Sequence, residues 1–246
     1  MLEINNISMI YKGKSETKAL NNVSLNLDKG VYALLGPNGA GKSTLMKILT
    51  LSLEPSSGEV LWNGVNIKAL GNDYRAILGY MPQQQTLYNT FTGKMFLNYI
   101  ATLKNIPKPS IDAQVENVAK SVNMQEKIHE RIKNYSGGMK QRLLLASATI
   151  GSPEFVVLDE PTAGLDPKER IRVRNLAEKV GEKAIVLFAT HVVADVESIA
   201  KEVIIMNKGI VLAKGKPAEL IKSIENAKTL EDVYMHYFGD SETEKC

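Results

Sequence analysis

The feature that most constrains this chain is a glycine-rich stretch, Gly36-Pro37-Asn38-Gly39-Ala40-Gly41-Lys42-Ser43-Thr44. It matches the pattern G-x-x-x-x-G-K-[ST] in full. An apolar run, Val31 to Leu35, precedes it as a buried strand would, and a helix-compatible run, Lys42 to Leu51, follows it. Glycines let the backbone curl until several N–H groups converge, and the positive end of the next helix strengthens the field there. The stretch therefore predicts a phosphate-binding loop between a strand and a helix.

Two side chains in this stretch have specific chemistry. We expect Lys42 to reach the terminal phosphates of a bound nucleotide and Ser43 to place its hydroxyl on Mg²⁺. All nine residues are candidate nucleotide ligands: Gly36, Pro37, Asn38, Gly39, Ala40, Gly41, Lys42, Ser43 and Thr44.

Composition narrows the class of protein. A net charge of +3 over 246 residues, with no basic cluster, argues against a nucleic-acid partner. The single cysteine, Cys246, excludes an intrachain disulfide and fits a reducing compartment. The start Met1 to Asn6 lacks a basic region followed by an apolar one, so no signal peptide is expected. Every apolar run is shorter than the roughly 18 residues of a membrane span, so we expect no crossing of a membrane.

Hydrophobic periodicity divides the chain into regions. Ile4 to Ile10 and Val23 to Leu27 alternate as antiparallel strands do, and Asn63-Gly64 predicts a hairpin from Glu59–Trp62 into Val65–Ile67. From about Thr92 to Ile150 the pattern is helical, with candidate helices at Lys94 to Lys104 and Ser110 to Val122 separated by Pro107 and Pro109. Strands alternate with helices elsewhere, which predicts a mostly parallel sheet covered on both faces.

An acidic pair ends one apolar strand, Phe155 to Leu158. We expect Asp159 to hold Mg²⁺ through water, and Glu160, just beyond the strand, to polarise an attacking water. Another buried strand, Ala184 to Ala189, leads into Thr190-His191.

A second phosphate-binding element is predicted at Ser136-Gly137-Gly138-Met139-Lys140-Gln141-Arg142. Ser136 can cap the helix that follows, and the two glycines leave its start bare of side chains. A bare, capped helix start suits an anion. Taken alone, the same stretch fits an ordinary loop-to-helix junction equally well.

Together these residues resemble the nucleotide-binding subunit of ABC transporters, over nearly the whole chain. Gly36–Thr44 resembles the Walker A loop, and Phe155–Glu160 resembles Walker B with its catalytic glutamate. Tyr135 to Gln141 resembles the ABC signature, with Tyr135 where leucine is more usual.

The resemblance implies further site residues. Gln83, which directly follows Pro82, is similar to the Q-loop glutamine that touches Mg²⁺ and the attacking water, although Gln84 and Gln85 adjoin it. Asp166 resembles the D-loop aspartate, His191 the switch histidine that contacts the γ-phosphate, and Tyr11 the aromatic residue that stacks on adenine. Each has a structural alternative: Asp166 as a helix cap, His191 as a structural histidine, and Tyr11 as a half-buried strand aromatic.

The family also implies an architecture. We expect an α/β P-loop NTPase core with a mostly parallel sheet, an N-terminal antiparallel β subdomain and an inserted α-helical subdomain. Residues 1–91 and 152–220 would form the RecA-like core with the β subdomain, and 92–151 the helical signature subdomain. Residues 221–246 would form a C-terminal helix and tail, within one ABC ATPase domain spanning 1–246.

The implied function is ATP hydrolysis with Mg²⁺, between two cassettes that meet head to tail. Each ATP would lie between Walker A of one copy and Ser136-Gly137-Gly138 of the other, so a second nucleotide-binding subunit, identical or not, is expected. A transmembrane permease subunit would hold the pair at the cytoplasmic face of the cell membrane. An apolar stretch after Gln83 is a candidate permease contact, although half of it fits ordinary helical core: Leu87, Tyr88, Phe91, Met95, Phe96 and Tyr99.

The direction of transport and other classes of ATPase remain alternatives. The tail Thr229 to Tyr234 resembles cassettes of drug, lantibiotic and polysaccharide exporters, which favours export over import. ABC ATPases of translation carry two cassettes per chain, and those of chromosomes insert a long coiled coil between Walker A and Walker B; this chain has one cassette and no heptads. A GTPase is disfavoured because Asn207-Lys208-Gly209-Ile210 lacks the aspartate that reads guanine.

Overall fold

The computed structural model of the chain describes residues 1–13, 16–83 and 87–239. The strands are β1 (Leu2–Tyr11), β2 (Thr17–Leu27), β3 (Gly30–Leu35), β4 (Ser57–Trp62), β5 (Val65–Asn66), β6 (Leu78–Met81), β7 (Phe155–Asp159), β8 (Ile185–Thr190), β9 (Glu202–Asn207) and β10 (Ile210–Gly215). The helices are α1 (Lys42–Leu49), α2 (Ile67–Leu70), α3 (Asn72–Ile77), α4 (Gly93–Leu103), α5 (Lys108–Ser121), α6 (Gly137–Thr149), α7 (Pro167–Gly181), α8 (Pro217–Ser223) and α9 (Leu230–Phe238). Short 3₁₀ turns lie at Ile132–Asn134 and Val193–Asp195.

Within the described ranges the strands form two sheets. The antiparallel sheet has the order β2-β1-β4-β5, and the larger sheet has the order β10-β9-β3-β8-β7-β6. In the larger sheet every pairing is parallel except that of β9 with β10. Its central strands β7 and β8 are buried at every residue, as strands covered on both faces must be. The expected α/β fold, with a mostly parallel sheet and a separate antiparallel one, is confirmed.

The larger sheet separates two hydrophobic cores. Tyr32 and Leu34 of β3 face the core beneath the antiparallel sheet and α1, while Ala33 and Leu35 face the core that includes α4 to α7 and α9. This alternation follows from the period of two along a strand. Both faces are therefore covered, which leaves the strand ends as the place for a site.

Register brings the ends of three strands together. Leu35 of β3 pairs with Thr190 of β8, and Asp159 of β7 pairs with Ala189. Since these strands are parallel, the loops after them leave the sheet at one edge. The stretches beginning at Gly36, Glu160 and His191 therefore start side by side.

Helix α6 ties the helical segment to the sheet. A Cβ on Gly79 of β6 would lie 1.9 Å from the carbonyl oxygen of Ala148 in α6, so this contact requires glycine. Helices α4, α5 and α6 fall in the region predicted as the helical subdomain, whose exact boundaries stay a prediction. Among the described residues, no helix combines the length and the apolarity needed to cross a membrane.

The structure differs from the expectations drawn from the sequence in two local details. The hairpin at Asn63-Gly64 is confirmed, with Trp62 paired to Val65, but the predicted strand through Ile67 is wrong. Ile67 begins α2 because the Asn66 side chain accepts a hydrogen bond from Lys68 N and caps the helix. Pro109 was expected to separate helices; it lies instead in the first turn of α5, where proline is tolerated.

Candidate site for nucleotide binding and hydrolysis

The loop after β3 is shaped by close contacts that only glycine permits. Gly41 has φ +104°, and a Cβ there would lie 2.7 Å from the carbonyl oxygen of Ala19. A Cβ on Gly36 would lie 2.3 Å from that of Met206. Gly209 N also donates to Ala40 O at 2.9 Å. The curled path of the loop is thus fixed by β2 and by the β9–β10 hairpin.

The start of α1 is open to an anion. Gly41 is its N-cap and supplies no side-chain hydrogen bond, and the first turn contains no acidic residue. The N–H groups there keep the positive end of the helix available. Lys42 is buried, and its Nζ donates to Gly36 O at 2.5 Å and to Pro37 O at 3.2 Å. Burial lowers the pKa of Lys42, which the nearby carboxylates of Glu160 and Asp159 oppose.

Glu160 occupies an uncommon backbone conformation directly after β7. Its φ of +49° costs about 1–2 kcal/mol for a residue other than glycine. Its N–H donates to Ala189 O at 2.9 Å, which anchors it to β8. Its carboxylate is buried: Oε1 lies 2.9 Å from His191 Nδ1, and Oε2 accepts from Thr190 Oγ1 at 3.2 Å. Strain at this position marks it as a functional candidate.

Thr190 is a site residue that sequence reasoning missed. Its hydroxyl donates to Glu160 and accepts a hydrogen bond from Val192 N at 3.0 Å. It therefore holds both the carboxylate and the turn that carries His191. The only signal for it is a hydroxyl residue beside a candidate histidine, at the end of a buried strand.

Asp159 forms the other half of the acidic pair. Burial raises the pKa of Asp159, and Glu160 raises it further, while Lys42 and the backbone N–H of Gln83 lower it. Gln83 is thereby placed next to Asp159; Gln84 and Gln85 lie outside the described residues. The role of the Gln83 side chain stays a prediction.

The donors at this edge fit Mg²⁺. Asp159 offers a carboxylate, and Ser43 offers an exposed hydroxyl at the start of α1. Both are hard oxygen donors of the kind that Mg²⁺ prefers. Burial and the neighbouring Glu160 carboxylate both disfavour the charged form of Asp159, so an added cation would offset the repulsion between the two carboxylates.

Tyr11 lies beside α1, the helix that follows the predicted phosphate loop. It ends β1, is 39% exposed, and its hydroxyl is 3.4 Å from Thr44 Oγ1. The structure thus brings it beside the predicted phosphate loop. Stacking of its ring on a base stays a prediction.

The predicted second phosphate element stands apart from the first. Ser136 Oγ accepts from Met139 N at 3.3 Å and caps α6. Beyond its chain neighbours and its own helix backbone, a Cβ built on Gly137 would have no described heavy atom within 4 Å. Gly138 faces Leu165, whose Cδ2 would be 3.5 Å from an added Cβ. In the described part of the chain, no hydrogen bond or ion pair joins residues 136–138 to residues 36–44. Asp166 caps α7 by accepting from Glu169 N at 2.9 Å, and a nucleotide contact for it stays a prediction.

Comparisons with known proteins agree with this geometry. The sequence model of the ABC transporter family matches residues 20–163, more than half of the chain. The chain is 37% identical over 223 residues to the uncharacterized ABC transporter ATP-binding protein YxlF of Bacillus subtilis, covering 89% of this chain and 72% of that protein. It is 33% identical over 240 residues to the molybdate/tungstate import ATP-binding protein WtpC of Methanocaldococcus jannaschii, covering 98% and 78%. It is also 32% identical over 212 residues to ABC transporter A family member 1 of Dictyostelium discoideum, covering 86% of this chain but only 24% of that protein.

Solved structures share the fold. A structure described as the ATP-binding subunit of an ABC transporter superposes with a TM-score of 0.86 at 26% identity, covering 96% of this chain and 98% of that one. A dimeric bacterial ABC transporter cassette gives a TM-score of 0.80 at 25% identity, covering 88% and 98%. From its loop, its acidic strand end and these relatives, the chain belongs to the ABC transporter family, as an ATP-binding cassette with ATPase activity.

Proposed function

We propose that two such cassettes clamp ATP between them, and that its hydrolysis drives a separate membrane-spanning permease in the direction of export. The observation that carries the proposal is the contact of 2.9 Å between the buried Glu160 carboxylate and His191. It lies at the sheet edge from which the Lys42 loop also leaves. A base, its positioning partner and a phosphate cradle are thus close together.

Glu160 is suited to handle the attacking water. Oε1 is held by His191 and Oε2 by Thr190, so the carboxylate has a fixed direction. It would orient a water for in-line attack on the γ-phosphate and accept its proton. The His191 side chain is 60% exposed beside the 9% exposed Glu160 side chain, which leaves its ring free to reach a phosphate.

Lys42 and the loop supply positive charge. The Lys42 ammonium and the N–H groups at the start of α1 would stabilise charge on the transferred phosphoryl group. Ser43 and Asp159, with Gln83 nearby, would hold Mg²⁺, and that ion would neutralise charge on the phosphates.

The isolated position of Ser136–Gly138 supports a two-copy site. The start of α6 is capped and bare of side chains, but it is not joined to the chain's own loop. A second copy placed head to tail would bring it to the phosphates. The dimeric structure of the related bacterial cassette is compatible with such an arrangement.

Part of the apolar stretch after Gln83 lies on the surface. Leu87 and Phe96 are buried, so they belong to the core. Tyr88 is 50% exposed, and its ring centroid lies 5.0 Å from that of Phe91 and 6.1 Å from that of Tyr99. We name Tyr88, Phe91, Met95 and Tyr99 the aromatic patch. Phe91 is half-buried against the core, whereas Tyr88, Met95 and Tyr99 are exposed. Exposed apolar groups in a cluster are typical of an interface, and the permease is the partner that we propose for the patch.

Met95→Asp should weaken permease binding while leaving the basal ATPase of the isolated cassette unchanged. Met95 is 51% exposed and lies in the first turn of α4, where aspartate is tolerated, so the fold should survive. The measurement is co-purification of cassette and permease from detergent-solubilised membranes. Met235→Asp is the matched control, because Met235 is 53% exposed on α9, outside the patch. Equal recovery of permease with both variants would contradict docking at the patch.

The direction of transport is tested in proteoliposomes in which the cassette–permease complex is inserted with the cassette on the outside. Export predicts that external ATP drives a lipophilic fluorescent cation into the lumen, and that the Glu160→Gln complex does not. Import is the second candidate, because the WtpC relative is named for molybdate and tungstate import. Import predicts instead that ATP drives preloaded labelled molybdate out of the same vesicles.

A further inference from the structure

A side chain of α6 contacts the backbone at the candidate base. Gln141 lies in the second turn of α6, and its Nε2 is 3.2 Å from Glu160 O and 3.2 Å from Pro161 O. A primary amide has two N–H groups, so it can donate to both carbonyls at once. The helix that begins at Ser136 is thereby joined to the strand end that carries Glu160.

The backbone at Glu160 needs contacts that hold it in its conformation. Glu160 has φ +49°, a conformation that relaxes readily toward negative φ unless its surroundings fix it. Glu160 N is held by Ala189 O, and Glu160 O also accepts from Ala163 N at 3.1 Å. Gln141 adds a contact from a different helix and is the described side chain that holds the Pro161 carbonyl. A rotation of the backbone at Glu160 would move the Glu160 carboxylate away from His191.

Neighbouring contacts keep Gln141 in register. Arg142 Nε lies 3.6 Å from Glu169 Oε2, with both side chains largely buried. The Gly138 backbone packs on Leu165. The first turns of α6 are thus fixed against the segment that runs from Glu160 into α7.

We propose that Gln141 is a positioning residue for hydrolysis. Its two hydrogen bonds fix the two peptide groups that follow Glu160 and Pro161, and so set the direction of the Glu160 carboxylate. The inference rests on the proposed function of Glu160 as the base.

The test replaces Gln141 by Met, which keeps the length of the side chain and removes both donors. We expect kcat to fall ~10- to 100-fold, the scale for a slight misplacement of a catalytic group, with KM for ATP nearly unchanged. Gln141→Lys restores donors at similar reach and should recover much of the lost kcat. Gln114→Met is the control: Gln114 Oε1 accepts from Gly151 N at 3.0 Å in the same helical segment, so its loss should affect stability but not kcat.

A double variant separates this inference from the proposed function. If Gln141 acts through Glu160, then Glu160→Gln with Gln141→Met should be no slower in single turnover than Glu160→Gln alone. A wild-type kcat in Gln141→Met, or fully multiplicative losses in the double variant, would overturn the positioning role. A wild-type kcat in Glu160→Gln would instead overturn the assignment of the base, whatever Gln141 does.

Discussion

Replacing Glu160 by Gln should leave ATP binding near that of the wild type and lower the turnover number by about 10²–10⁴-fold, the range for loss of a general base. The carboxamide keeps the size of the side chain but cannot accept a proton from water. Binding should persist because Lys42 and the start of α1, which would contact the phosphates, are unchanged.

Two measurements check this expectation: steady-state phosphate release, and the affinity for a fluorescent ATP analogue. Glu154→Gln is a matched control, because Glu154 is exposed and lies just before the opposite end of the same strand, β7. Turnover at the wild-type rate in Glu160→Gln would show that another group activates the water.

Replacing Ser136 by Asp should abolish most hydrolysis without unfolding α6. Aspartate caps a helix as well as serine does, so the hydrogen bond to Met139 N can be kept. Its negative charge would, however, face the phosphates across the proposed dimer and cancel the positive end of the helix. We expect at least a ~10²-fold loss of turnover, the scale for one lost charge-stabilising group. Ser136→Asn is the control, because asparagine caps the helix without the charge.

Mixing the two inactive variants tests most directly whether each ATP site is shared between two copies of the chain. In a mixed pair of Ser136→Asp and Glu160→Gln chains, one site combines the intact loop and Glu160 of the first with the intact Ser136 of the second. Random pairing of equal amounts should then restore about a quarter of wild-type turnover, since half of the dimers carry one intact site of two. No recovery on mixing, with dimers present, would contradict a site shared between copies.

Much of the candidate site follows from local signals in the sequence. The loop from Gly36 to Thr44 is recognised by spacing alone, because its three glycines have positive φ angles that other residues rarely adopt. Ser136 and Asp166 were predicted as caps from their own neighbours, and both cap the helices that follow them. The strand ends at Asp159 and Thr190 were expected within one residue, because fully buried parallel strands read as short apolar runs.

Other features have no local signal. In the apolar stretch after Gln83, Leu87 and Phe96 are buried while Tyr88, Met95 and Tyr99 are exposed, and this division follows from tertiary packing. The start of α2 at Ile67 was missed, because the Asn66 cap competes with continuation of the hairpin strand.

What the sequence by itself determined is therefore the inventory of chemical groups and the local geometry that presents each one. Only the tertiary structure decided which of those groups meet. Glu160 and His191 are 31 positions apart, and Gln141 is 19 positions from Glu160. They come together because the parallel register of β7 and β8 and the packing of α6 on the sheet place them there. Such contacts depend on the whole core, so no short stretch of the chain encodes them.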